Sequence, residues 1–344
     1  MRNARPLLLA YLAVIILDAS SACGLAGTIL NGNGLSGGLR WDAEPYSIGG
    51  FERSLDGGLR YSLQGGSYEA LKNRFTWAGA TPSVPDFTEA VKQAFRAWES
   101  VDPATGLGTD IRFVEDLGTP VDGDGTFGSV SFFGAEIDIF GYDGGVDGFD
   151  GFAAWNFSNK TANLTSGVEN YAGSTTFIGV DISINSNPAK VWELDIFRRV
   201  LTHEIGHSIG LGDLENDINP EFIDDNFDGS DASTVVSTLS NSWANLVNPH
   251  DPAASPLSVF TLPLGDPGLQ TAGIDLLMES RGDDDGPSNP ASNLIPLQND
   301  EYGMRQFLYP VLVPEPTSVL LLAVATCLLH ARDQRTRRHR SELD

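Results

Sequence analysis

Apolar residues recur along the chain with two different periods, and the change from one to the other divides it into elements. From Asp86, Phe87, Val91, Ala94, Phe95 and Trp98 fall on one face at three- and four-residue steps. This spacing predicts a helix with Asp86 as its N-cap and Glu89 three residues on. Alternation at Ile111 and Phe113, and again from Val130 to Ile139 with Ile137 and Ile139 pointing one way, predicts strands. Phe152 to Phe157 reads as an edge strand, and Phe177 to Ile184 places Ile178, Val180, Ile182 and Ile184 on a single face. Leu59 to Leu63 offers a first strand inside a Gly-rich segment, 27–85, that contains the similar pieces Gly38-Leu39-Arg40-Trp41 and Gly58-Leu59-Arg60-Tyr61. Helical spacing returns at Leu194, Phe197, Leu201, Ile205 and Ser208, predicting a helix from Val191 to Ile209. Gly206 inside it costs about 1 kcal/mol relative to Ala, which makes sense where another group must approach closely. After Asp213 the pattern is irregular for about 60 residues, rich in Asp, Asn, Ser and Pro. A last helix, Asn299 to Tyr309, stops at Pro310.

The two ends read differently from the middle. Arg2 and Arg5, the apolar run Leu7 to Leu17 and the small residues Ala19 to Ala22 predict a secretory signal peptide over 1–26, with cleavage after Ala22 or Ala26. Ser20, three residues before Cys23, argues against a lipoprotein site there. At the other end Val313-Pro314-Glu315-Pro316 precedes an apolar stretch, Val319 to Leu329, and a tail with Arg332, Arg335, Arg337, Arg338 and Arg340. These three parts, over 313–344, resemble the PEP-CTERM sorting signal of exopolysaccharide-producing Gram-negative bacteria. The resemblance implies export, transient membrane insertion of the apolar helix and processing by an exosortase, with the arginines on the cytoplasmic side. Both cysteines, Cys23 and Cys327, fall in these terminal segments, so the remaining chain has neither a disulfide nor a thiol to hold a metal latent. The formal charge of −25 sits mostly on Asp in Gly-rich loops, which argues against nucleic acid as a partner and for cation binding or solubility.

The chemistry concentrates in Leu201-Thr202-His203-Glu204-Ile205-Gly206-His207-Ser208-Ile209-Gly210-Leu211-Gly212-Asp213, an H-E-x-x-H-x-x-G-x-x-D pattern. Residues four apart share a helix face, so His203 and His207 can offer their imidazoles to one Zn²⁺ while Glu204 projects beside the open position. Gly210 is suited to end the helix in the left-handed conformation and turn the chain back, which makes Asp213 the third ligand. His250, Asp217 and Glu215 are its rivals. The Asp224-Asp225-Asn226-Phe227-Asp228-Gly229 stretch imitates the start of an EF-hand, with Asp224, Asn226 and Asp228 at positions one, three and five, but Val235 stands where the Glu at twelve belongs.

Taken in order, these parts resemble the metzincins, and within them the matrixins. The matching pieces are Ala94 to Trp98 of the first helix, Ala135 to Ile139, the edge strand Gly151 to Trp155, the His203 motif, Gly273 to Ser280 as a Met-turn, and Asp300 to Tyr309 as the last helix. The resemblance runs from about Leu59 to Tyr309 and implies an α+β fold over 86–312: a twisted, mostly parallel sheet with an antiparallel edge strand, a long active helix, Met278 packed beneath the metal, and a cleft for extended peptide along the edge. Matrixins place a third His where Asp213 stands, and the snapalysin branch uses Asp there. The implied activity is zinc-dependent endopeptidase cleavage of a protein or peptide substrate, with Glu204 as general base on zinc-activated water. The loop containing Asp143, Asp147 and Asp150, and the strand containing Asp181, correspond to regions that bind structural ions in matrixins. Too few His remain for a structural zinc there, but the carboxylates suit Ca²⁺. The matrixin cysteine switch is missing. A different class stays open beside this one, a calcium-stabilised surface or matrix-binding protein with little or no peptidase activity, as does an enzyme that trims its own amino-terminal segment.

Overall fold

The computed structural model describes residues 30, 32–33, 36–101, 108–122, 133–146, 148–165, 175–212, 221–224, 258–261, 277–278, 297 and 299–309. Its centre is a six-stranded sheet built from β1 (Leu39–Arg40), β2 (Leu59–Leu63), β3 (Phe113–Glu115), β4 (Ile137–Tyr142), β5 (Gly151–Thr161) and β6 (Thr175–Asn185). The order is β5-β6-β4-β2-β3, with β1 pairing the start of β6. All neighbours run parallel except β5, which lies antiparallel to β6 and forms one edge. The protein is therefore of mixed α and β class with a mostly parallel sheet.

Register decides what each face carries. Tyr61, Ile137, Val180 and Trp155 stand in one row across four strands, and Leu63, Ile139, Ile182 and Ala153 in another. All eight join or pack against a single hydrophobic core. Two helices complete it: α2 (Val84–Glu99), which follows the short α1 (Tyr68–Lys72), and α3 (Leu194–Ser208). Phe95 of α2 stacks on Tyr61 at 4.0 Å between ring centroids, so the rows face the helices. The opposite face is polar and equally buried, with Ser62, Asp138 and Asp181 in register.

Several boundaries differ from those that periodicity predicts. The first long helix begins three residues earlier than expected, capped by Ser83, with Pro85 in its first turn. Ser83 accepts from the Asp86 amide and its hydroxyl donates to the Asp86 carboxylate, so Asp86 is the partner of the cap rather than the cap itself. α3 starts at Leu194, not Val191, because Val191–Trp192 forms a short parallel pair with Thr76–Trp77. In β6 the partners step from Asn156↔Gly179 to Phe157↔Phe177, leaving Ile178 as an extra bulge residue. Phe177, not Ile178, thereby joins Val180, Ile182 and Ile184 in the core, 5.3 Å from the Trp41 ring.

The Gly-rich segment is part of the same packing: Leu39, Trp41 and Leu59 are fully buried. The two G-L-R-aromatic pieces both open sheet strands after a glycine with positive φ. The last helix, α4 (Asn299–Leu308), is tied to the others through polar side chains. Arg305 donates to the carbonyls of Trp98 and Ser100 at the end of α2, where a cation suits the helix C-terminus, and the Tyr309 hydroxyl donates to Ile209 O past the end of α3. Among the described residues no helix is long and apolar enough to cross a membrane. The segments expected as signal peptide and sorting tail lie outside the described residues, as does the expected strand start at Val130.

Candidate active site

On α3 the apolar positions Phe197, Leu201 and Ile205 are fully buried in the core, which fixes the rotation of the helix about its axis. That rotation sets His203 and His207 side by side, ring centroids 4.6 Å apart and planes at 88°. Each Nδ1 lies against a backbone carbonyl, His203 at 2.6 Å from Leu277 O and His207 at 2.9 Å from Leu211 O. A carbonyl can only accept, so each Nδ1 carries a proton, and in the neutral ring Nε2 carries the lone pair. This is the tautomer a histidine needs to ligate metal through Nε2, and a carbonyl partner on Nδ1 raises its basicity.

The turn after α3 explains how Leu211 reaches His207. Gly210, at φ 102°, donates to His207 O, and Leu211 N donates to Gly206 O, the paired bonds of a Schellman motif. A side chain on Gly210 would collide with Leu39 O, so the position excludes one on two counts. The turn folds the backbone under the His207 ring, as the glycine's position predicts. Asp213, the expected third ligand, lies outside the described residues, as do Asp217, Glu215 and His250.

Below the histidines the packing is close. A Cβ on Gly206 would collide with Met278 Sδ and come within 2.8 Å of the Trp98 ring, which accounts for the glycine within the helix. Leu277 and Met278 form a turn in which Met278 is buried, and the Met278 amide reaches toward Glu301 of α4 at 3.4 Å. Trp98 and Trp41 donate their indole N–H groups to Thr202 O and Ser208 O, both at 2.8 Å, holding two carbonyls of the helix or its end. Periodicity assigns Trp98 to the core, but it carries no sign of these donors, because their acceptors lie far along the chain.

Glu204, between the histidines in sequence, is buried and faces the edge strand: a Cβ on Gly151 would stand 2.7 Å from Glu204 Oε1. Tyr142 shares this neighbourhood. Burial first, and then the charges of Glu204 and Asp150, push its phenol up to about 12. Its hydroxyl donates to Phe149 O at 2.6 Å. A tyrosine at the end of a strand gives no sequence signal for this placement.

The candidate calcium ligands are dispersed. Asp143 is exposed and accepts from Asn187 and the Gly145 amide, which hold its carboxyl below the usual range. Asp150 pairs with Lys190, and Asp181 is buried within the sheet. Among the described residues no group of three or more His, Cys, Asp or Glu is arranged to hold a metal, so these three do not form one with each other. Asp224 ends the strand Glu221–Asp224, while Asp147, Asn226 and Asp228 lie outside the described residues.

The donor chemistry at the histidines fits zinc: two imidazoles oriented through Nδ1 on one helix turn, with no third His, Cys, Asp or Glu among the described residues arranged with them to hold a metal. The chain matches no protein-family model, and no curated protein matches its sequence.

Proposed function

We propose that the protein is an exported zinc-dependent endopeptidase of the metzincin type. The observation that carries the reading is the pair of Nδ1–carbonyl bonds at His203 and His207, which turn both imidazoles into Nε2 donors on the helix turn that holds Glu204. In this reading His203, His207 and Asp213 hold Zn²⁺, and Met278 supports the histidines by packing on Gly206. When bound, zinc supplies a Lewis acid that polarises a peptide carbonyl and acidifies water. Glu204 accepts a proton from the attacking water and returns it to the amide nitrogen as the C–N bond breaks. Its burial against Gly151 keeps that carboxylate beside the edge strand, where an extended peptide can add its backbone to β5. Calcium bound by acidic loops would be structural, and the sorting tail would deliver the domain to the cell envelope or matrix through an exosortase.

The reading is tested with casein or gelatin as substrate. Glu204→Ala lowers cleavage by about 10²-fold or more, the usual loss on removing a general base. Equal cleavage by both proteins, or none by either while zinc is retained, would contradict a peptidase and favour a binding role for the surface.

A further inference from the structure

Two large apolar side chains stand in water beside the proposed site. Val146 and Phe149 are 51 % and 73 % exposed, in the turn that joins β4 to the edge strand β5. Their backbone is anchored from several sides. The amide of Asn185, itself fully buried, donates to Gly145 O at 2.9 Å and to Phe149 O at 3.1 Å. Phe149 O also accepts from the Tyr142 hydroxyl, and the Tyr142 ring sits edge-on to Phe152 at 4.8 Å. An apolar side chain presented on a held backbone loses little conformational freedom when it is covered. Phe149 stands two residues before Gly151, the residue packed on the Glu204 carboxylate. Among the described residues no strand pairs with the outer edge of β5, and the turn leads into that strand beside the point where Glu204 meets the sheet. A peptide strand added to that edge would project alternate side chains to each face, and one extending beyond Gly151 would bring a side chain to this turn. The exposed Asp143 carboxylate belongs to the same turn, and the net charge of −25 favours a basic partner.

We propose that Val146 and Phe149 form an apolar lip that selects peptide segments carrying a large apolar side chain next to a basic residue, at the end of the cleft where β5 begins. The inference rests on the peptidase reading for its place in catalysis, but peptide binding tests it without turnover.

The experiment uses the full chain carrying Glu204→Ala and two fluorescein-labelled extended peptides, identical except for Phe or Ser at one position beside a Lys. The Phe peptide binds about tenfold tighter than the Ser peptide, and adding Phe149→Ser removes that preference. Phe149→Leu, which keeps an apolar lip, retains most of it. Replacing the Lys by Glu weakens binding, and raised salt narrows the difference. Because the ring is largely exposed, circular dichroism melts of the Phe149 variants stay near the parent; should Phe149→Ser unfold, Val146→Ser gives the same comparison. Equal binding of the Phe and Ser peptides, or a preference unchanged in Phe149→Ser, overturns the proposal. Failure of the peptidase reading shows separately, as no cleavage of casein by the protein with Glu204 intact.

Discussion

At the scale of single residues, Gly206 concentrates the relation between packing and chemistry. It lies between the two histidines, and the space a Cβ would need is filled by Met278 and Trp98. Gly206→Ala should therefore destabilise the fold by about 1–3 kcal/mol through overpacking, despite alanine's better helix propensity. Thermal unfolding measures this, and Met278→Ala in the same chain should return part of the loss, since it empties the space the new methyl needs. The glycine is conspicuous in the sequence as a helix-interior position with a cost. Trp98 is expected in the core and Met278 in the Met-turn, but their contact with this glycine is not legible, because they come from another helix and from a turn well downstream. The same limit applies to Tyr142, Asn185 and the carbonyls of Leu277 and Leu211, whose roles follow from folded proximity rather than from residue type.

At the scale of elements, local sequence signals place the helices and strands well, and errors arise where two signals compete. Pro85 interrupts a helical pattern, yet it stands in the first turn, where its missing N–H costs nothing, so the true cap is Ser83. Ser83→Ala should lower stability by about 1 kcal/mol, read as a shift in the denaturation midpoint. No shift would mean that the cap is dispensable to α2. In β6 strict alternation is broken by the Ile178 bulge, which no period-two pattern can anticipate. The Val191–Trp192 pairing replaces the first turn of the expected active helix because Trp77 and its neighbours, distant in sequence, supply a strand partner. Gly210 was readable because its task is local: a residue in the left-handed region must follow the last turn wherever the chain reverses under the helix.

At the scale of the whole molecule, the apolar helix side of the sheet supplies the core while the opposite side is a buried polar layer, and the two respond differently to pH. Asp138 is buried in that layer, accepting from Ser62 and the Asp122 amide, with the Asp122 charge nearby. Burial pushes its carboxyl up to about 6 from 3.8. Between those values the folded chain holds more protons than the unfolded one, so stability is fully present below about pH 4 and is lost as the pH rises through 6. The loss from this group is on the order of 2–3 kcal/mol. Denaturant titrations at pH 4 and pH 7 should show it, and Asp138→Asn should flatten that slope whatever it does to absolute stability. An unchanged slope would place the pH response elsewhere. Assembly at this scale was only partly foreseeable: the patterns place the strands and the family resemblance implies a mostly parallel sheet with an antiparallel edge, whereas the ties from α4 to α2, to Met278 and to the end of α3 join parts far apart in sequence.

The account turns on whether the His203 and His207 face holds zinc, and the most direct measurement is the metal content of the purified full chain, compared with His203→Ala, His207→Ala and Asp213→Ala. The account predicts about one zinc per chain in the parent. Zinc is lost from either histidine variant, and affinity is weakened in Asp213→Ala. A parent chain that retains no more zinc than the histidine variants would contradict it.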